Sequence, residues 1–162
     1  MRVYLPTTAA GLATAHAKGL LPGPLAGHAV TPAVREWYVE GDLEELEYSA
    51  LTEAAEASLR LLAADPQLPR RRVVVAADVP DGDVTVVRDE RFRSAVRVLG
   101  DVEVAAIASL HVDEDDAAGV VGQAIEALPA ADAGDDDASF LLDEAEATEL
   151  LWYDVSELGD LV

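Results

Sequence analysis

Cysteine and asparagine are absent from this chain of 162 residues, and lysine occurs once. The lack of cysteine excludes disulfides, thiolate nucleophiles and thiolate metal sites. Aromatic residues make up only 5% of the chain, so we expect an aliphatic, alanine-rich core. No uninterrupted apolar run approaches the roughly 20 residues that span a bilayer, and the opening MRVYLPTT lacks the pattern of a signal peptide. These absences predict a cytoplasmic globular protein without a membrane segment.

Positive charge is also missing from most of the chain. Residues 101–162 hold 18 Asp or Glu and no Lys or Arg, and residues 39–66 hold eight acidic residues against one Arg. The net charge is −21. The electrostatic field of so many acidic residues affects solubility and the choice of partner rather than the fold. It disfavours direct binding to nucleic acid and to anionic membranes.

Hydrophobic periodicity and turn residues divide the chain into alternating strands and helices. Strands are predicted near residues 2–5, 25–30, 73–77, 108–112, 140–142 and 150–153, with a hairpin over 96–104. Helices are predicted over about 8–18, 32–41, 42–65 and 113–128, with a helical turn over 156–161. This alternation favours a single globular domain, residues 1–162, with an α/β (or α+β) layered fold. The sheet is expected to be mixed and to be packed by about four to five helices.

Two segments carry the clearest patterns. Asp42 and Glu45 form a capping-box pattern, and apolar residues then recur at three- and four-residue steps as far as Leu61. Residues 73–77, VVVAA, form a continuous apolar run that is typical of a strand buried on both faces. Small residues along the helix would let a sheet approach it closely.

Segments spread over most of the chain resemble one protein family. They are MRVYLPTT (1–8), HAVTPAVREWY (28–38), GDLEELEYSAL (41–51), PRRRVVVAADVP (69–80), ADAGDDDASF (131–140) and ELLWYDVSEL (149–158). On these segments the chain is similar to a family of small, uncharacterised actinobacterial proteins of unknown function. The resemblance implies a bacterial host with a GC-rich genome, and it carries no mechanism.

Known catalytic and nucleotide-binding motifs are absent. There is no GxxxxGK[ST] or GxGxxG loop after a strand, no GxSxG nucleophile elbow and no HExxH or Cys/His zinc spacing. Gly119 and Gly122 match the GxxG of an RNA-binding loop, but they fall inside a predicted helix with no basic residue beside them. We therefore expect no cofactor, and the balance favours a protein that is not an enzyme.

Polar residues near the ends of predicted strands are the candidates for a shared site. Ligands of open α/β sheets collect beyond the carboxyl ends of the strands, which selects Thr7, Thr8, His28, Thr31, Asp78, His111, Asp113 and Asp154. A histidine beside carboxylates can act as a general base or bind a metal. The catalytic candidates are therefore His28, His111 and Asp113. The simpler interpretation gives both histidines a structural role.

Two acidic runs are weak candidates for a metal site. Asp113 and Asp115 belong to the first run, and Asp135 and Asp137 belong to the second. Clustered carboxylates can hold Mg²⁺ or Ca²⁺, but neither run has the glycine and the closing glutamate of a Ca²⁺ loop in register. The spacing favours the alternative, a solvated helix start, so no metal is expected.

Two aromatic pairs, Trp37–Tyr38 and Trp152–Tyr153, contain both tryptophans. In a core made of Ala, Val and Leu these residues are predicted to be packing anchors. The alternative is an interface with a partner, where Trp and Tyr are enriched. The basic run 70–72 is predicted to form internal ion pairs with the acidic segments, and phosphate binding is its alternative.

Two functions of different classes fit these features. The leading hypothesis is a cytoplasmic, non-enzymatic accessory protein whose acidic field recognises a basic surface on a partner protein. The alternative is a small divalent-metal-dependent hydrolase or transferase that uses His111 and neighbouring carboxylates.

Overall fold

Strands and helices alternate along the chain, and a computed structural model describes all residues 1–162. The strands are β1 (Arg2–Thr7), β2 (Leu20–Leu21), β3 (Leu25–His28), β4 (Val73–Asp78), β5 (Val84–Val86), β6 (Ala95–Val98), β7 (Val102–Glu103), β8 (Ile107–Val112) and β9 (Leu151–Tyr153). The helices are α1 (Ala9–Lys18), α2 (Pro32–Trp37), α3 (Leu43–Ala64), α4 (Ala118–Asp132) and α5 (Asp136–Ala147). Short 3₁₀ turns cover Asp81–Asp83, Val104–Ala106, Asp115–Ala117 and Val155–Asp160.

Seven strands form one sheet in the order β5-β6-β3-β1-β4-β8-β9, and β2 pairs with β7 in a small second sheet. The predicted α/β class is confirmed. Every pairing is antiparallel, whereas a mixed sheet was expected. The helices α2 and α3 do connect two strands of the same direction, β3 and β4, but β1 lies between them in the sheet and runs opposite to both. The crossover therefore links strands that are not hydrogen-bonded neighbours.

One face of the large sheet is covered by α1, the small sheet and the last 3₁₀ turn. It forms an aliphatic cluster of 17 buried residues that includes Leu5, Leu12, Val75, Leu110 and Leu158. The alternation of side chains along each strand places these residues together on one side. This face supplies most of the buried apolar core.

The other face is covered by α3, whose small side chains let the helix lie close to the strands. Ala50, Ala54 and Ala55 pack against Tyr4 and Val74. Near the C-terminal end of α3, α4 and α5 add a separate apolar cluster made by Leu59, Leu62, Ala117, Val121, Ala124, Ile125, Leu128 and Ala145. The result is three layers, with the sheet in the middle.

Helix boundaries follow the local signals in several places. The Asp42 carboxylate accepts a 2.9 Å hydrogen bond from the Glu45 N–H and caps α3. The Thr31 hydroxyl accepts from the Val34 N–H at the start of α2. Gly19 ends α1 with φ of 75°, a left-handed conformation that glycine adopts without strain. These predicted helix starts and stops are confirmed.

Three predicted elements are wrong. Residues 140–142 lie inside α5 rather than in a strand, because Ala138, Leu142 and Ala145 recur at helical spacing and pack inward. Residues 96–104 do not form a hairpin, since β6 pairs with β3 and β5 while β7 pairs with β2. The helix that begins at Pro32 ends at Trp37 instead of near residue 41.

Candidate functional site

A cleft of about 350 Å³ opens between α3, α5 and the loop 87–94 that joins β5 to β6. Its apolar lining comes from Leu51, Ala55, Leu59, Phe92, Leu142, Ala145 and Leu150. A concave, partly apolar surface of this size is typical of a ligand site. The cleft lies on the α3 side of the sheet.

Carboxylates from both helices line the cleft. They are Glu53 and Glu56 on α3, Asp143 and Glu146 on α5, and Glu149 just beyond α5. Burial raises the pKa of Glu146, and the charges of Asp143 and Glu56 raise it further. Asp143 is on the same helix as Glu146, whereas Glu56 is on α3, so like charge also faces Glu146 from the other side of the cleft.

Tyr48 bridges the two sides of the cleft. Its hydroxyl donates a 3.4 Å hydrogen bond to Glu149 Oε1. The pKa of Tyr48 is raised first by burial and then by the negative charge of Glu149. The hydroxyl therefore stays protonated at neutral pH and keeps its donor role.

Glu53 is the most firmly held of these carboxylates. Its Oε2 accepts hydrogen bonds from both the N–H (3.0 Å) and the hydroxyl (2.5 Å) of Ser94, which is fully buried. His28 Nδ1 lies 2.8 Å from the Ser94 oxygen. Since the Ser94 proton goes to Glu53, His28 Nδ1 must be the donor to Ser94. The side chains of His28, Ser94 and Glu53 form a chain of hydrogen bonds that runs from the sheet to the cleft.

His28 takes part in this chain of hydrogen bonds as a neutral side chain. Burial lowers its pKa to about 4, although the charge of Asp89 opposes the shift. Phe92 packs edge-on against the imidazole with ring centroids 5.1 Å apart. In a Ser-His-acid triad the histidine lies between the other two groups, whereas here Ser94 occupies the middle. The arrangement positions a carboxylate and does not activate the serine.

Arg72 fixes the position of α5 beside the cleft. Its guanidinium donates to both carboxylate oxygens of Asp113 and to the carbonyls of Ala145 and Thr148, each at 2.8 Å. Both side chains of the ion pair are almost completely buried. The predicted ion pairing of the run 70–72 is therefore found for Arg72. Asp113 is occupied by Arg72 and is not open to a ligand.

His111 and His28 lie on the same side of the sheet but not in one site. His111 Nε2 is 2.9 Å from the Ser109 hydroxyl. Burial lowers its pKa, and the nearby positive charge of Arg2 lowers it further. Two strands separate β3 from β8, so the histidines are about 14 Å apart at the usual strand spacing. Neither histidine lines the cleft.

The polar residues predicted at the strand ends also lie at opposite ends of the strands and do not form one site. In the β1–β4 ladder Thr7 pairs with Val73, whereas Asp78 pairs with Arg2 at the opposite edge. Antiparallel strands place successive carboxyl ends at opposite edges of a sheet. The rule that grouped these residues holds for parallel strands, and it does not apply here.

The acidic runs act mainly at helix starts. Asp135 accepts a hydrogen bond from the Ala138 N–H and caps α5, and Asp137 lies in the first turn of that helix. Asp115 begins a 3₁₀ turn. No group of three or more His, Asp or Glu side chains is arranged to hold a metal ion.

The aromatic pairs lie mostly at the surface. Trp37 and Trp152 are each 61% exposed, and Tyr38 is 44% exposed. Only Tyr153 is half-buried against the aliphatic core. The guanidinium of Arg93 lies 3.6 Å from the centre of the Trp37 ring, a cation–π contact. The prediction of packing anchors is wrong for these three exposed side chains.

Sequence reasoning did not select Glu53, Glu56, Asp143 or Glu146. One signal was present, because each helix carries two acidic residues three positions apart that border small buried residues. Residues three apart lie on one face of a helix. The spacing indicates a shared face only in a segment known to be a helix. The sequence predicts a helix for α3 but a strand at 140–142, within α5.

A sequence profile for a family of unknown function, DUF6912, matches residues 1–162. The chain belongs to this family. No curated protein and no solved structure matches it. None of the helices combines the length and the apolar composition needed to cross a membrane.

Proposed function

We propose that this protein is a cytoplasmic accessory protein that binds a basic partner protein in the cleft between α3 and α5. The observation that carries the proposal is the composition of this cleft, where an apolar surface is bordered by five carboxylates. The two arginines that line it are already engaged, Arg72 with Asp113 and Arg91 with Asp132. Of the five carboxylates only Glu56 has an arginine partner, Arg60, so the site offers apolar area together with four carboxylates that have no Lys or Arg partner.

Charge complementarity argues for a basic partner. A charged cleft with low-dielectric walls concentrates its field and attracts opposite charge. With a net charge of −21, the whole molecule repels acidic partners and steers basic ones toward its surface. The apolar lining adds short-range attraction that an evenly charged surface lacks.

The proposal can be tested with a short fluorescent peptide rich in lysine and leucine. We expect saturable binding, measured by fluorescence anisotropy at low salt, that weakens as NaCl is added. The double variant Glu56→Gln/Glu146→Gln should weaken it about five- to tenfold, since each exposed charge contributes up to about 1 kcal/mol.

The matched control is Glu103→Gln/Glu126→Gln, which removes two exposed carboxylates outside the cleft. This variant should keep most of the affinity. An equal loss in both double variants would mean that the peptide senses only the overall charge, and the cleft would not be the binding site.

A further inference from the structure

The cleft has about 350 Å³, which is enough for one long side chain of a partner. The residues that line the cleft determine which side chain fits best.

Glu53 is a half-buried carboxylate without a cationic partner. Its side chain is 21% exposed, and the nearest ionisable nitrogen, His28 Nδ1, is 4.0 Å away in a neutral ring. A buried charge that is unpaired is costly. An incoming cation would relieve this cost, so the position favours a positively charged ligand group.

The two oxygens of Glu53 are not equivalent. Oε2 already accepts two hydrogen bonds from Ser94, whereas Oε1 accepts none from the protein. A guanidinium binds best when both carboxylate oxygens accept its two parallel N–H groups. An ammonium is a compact charge that can bind a single oxygen. The geometry of Glu53 therefore suits lysine better than arginine.

We propose, building on the function proposed above, that the cleft binds one lysine side chain of the partner with its ammonium at Glu53 Oε1. The aliphatic stem lies over Leu51, Ala55 and Phe92, which line the same cleft. Long basic side chains commonly bury their stems along apolar surface while the charge reaches a polar group. Ser94 and His28 act as positioning residues that keep Oε2 occupied.

Peptides that differ at one position test this inference. Three otherwise identical peptides carry Lys, Arg or Nε-acetyl-lysine at the centre, and their affinities are measured by calorimetry. We expect the lysine peptide to bind about tenfold more tightly than the others, the typical value of one charge-assisted hydrogen bond. Arginine binding as tightly as lysine would overturn the inference.

Two variants add an independent readout. Glu53→Gln should lower the affinity for the lysine peptide about tenfold, while Glu103→Gln should leave it unchanged. Ser94→Ala removes the hydroxyl and keeps the backbone N–H, so Oε2 loses one of its two hydrogen bonds and can accept one from a ligand. The preference for lysine over arginine should then shrink, an effect that loss of structure alone would not produce. If Ser94→Ala fails to fold, Glu53→Gln and the peptide series still decide the question.

The failure of this inference is distinguishable from failure of the proposed function. If no basic peptide binds, both fail. If basic peptides bind and depend on Glu56 and Glu146 but not on Glu53, the basic-partner function stands and the lysine site is wrong.

Discussion

The two faces of the large sheet differ in what they bury. The face under α1 is a dry aliphatic cluster, with residues such as Leu5 and Val75 almost completely enclosed. The face under α3 buries polar side chains, including His28, Ser109 and Arg72, and it opens into the cleft. Both faces belong to the same strands. Alternate residues of one strand therefore pack either into the aliphatic cluster or among the polar side chains of the α3 face.

This difference separates a closed apolar face from a face that has buried polar groups and an open cleft. Apolar burial on the α1 face stabilises the sheet in proportion to area removed from water. On the α3 face, His28, Ser109 and Arg72 have hydrogen-bonded partners, as buried polar groups require. The carboxylates that line the cleft lie on this second face as well.

The largest effect expected on the α3 face comes from breaking the Arg72–Asp113 pair. Asp113→Asn leaves the Arg72 guanidinium buried without its counter-charge, and removing one partner of a buried pair costs about 3–5 kcal/mol. Urea unfolding should show this loss in the free energy of unfolding. The exposed Asp160→Asn is the control and should change it by less than about 0.5 kcal/mol. A similar small change for Asp113→Asn would show that the pair does not hold the face together.

A matched pair of leucine substitutions compares the two faces directly. Leu5→Ala removes a side chain that is 1% exposed in the aliphatic cluster, at a cost of about 2–5 kcal/mol. Leu51→Ala removes a half-buried side chain that lines the cleft, and we expect about 1 kcal/mol because part of that surface is already hydrated. Equal losses in denaturant unfolding would contradict the contrast between a closed and an open face.

His28 should make the α3 face sensitive to acid. Its folded pKa of about 4 lies below the unfolded value of 6.5, so the unfolded state takes up the proton first as pH falls. Its contribution to stability is complete above pH 6.5 and is lost toward pH 4, reaching a loss of about 2 kcal/mol at pH 5. His28→Gln should lose less stability than the native protein between pH 7.5 and 5. Parallel stability profiles of the two proteins in this window would argue against a buried neutral histidine.

The smallest effect expected concerns the carboxylates of the cleft. Glu146 has a raised pKa because of burial and of the charges of Asp143 and Glu56, so its ionised form opposes folding at neutral pH. Glu146→Gln should therefore raise the stability by a few tenths of a kcal/mol, reduced by solvent screening. The gain should shrink as NaCl rises to a few tenths molar. Thermal melts at two salt concentrations measure the gain and its decrease with salt. A variant less stable than the native protein at low salt would contradict the expectation.

The sequence predicts the parts of the fold that depend on local signals. The caps at Asp42 and Thr31 and the apolar run of β4 need only neighbouring residues, and each was placed correctly. The strand order and the antiparallel pairing depend on contacts across the whole chain. Local periodicity does not contain them, which is why the hairpin over 96–104 was wrong.

The candidate site was harder to predict than the fold. It joins Glu53 of α3, Ser94 of a loop and Glu146 of α5, so no single segment carries its pattern. The strand-end rule directed attention to His111 and Asp113 instead, because it assumes parallel strands. The exposed aromatic side chains show a related limit, since composition alone suggested that tryptophan would be needed in the core.

The position of β1 has a consequence for the folding rate. The first strand of the chain is the central strand of the sheet, and its partner β4 joins it through pairs such as Arg2 with Asp78, 76 residues apart. Contacts between distant parts of a chain require an entropically costly loop closure before they add stability. The sheet therefore cannot grow outward from a local hairpin at β1. We expect folding on the order of milliseconds to seconds. In this order of events β1 pairs with β4 only after α3 and β4 have formed.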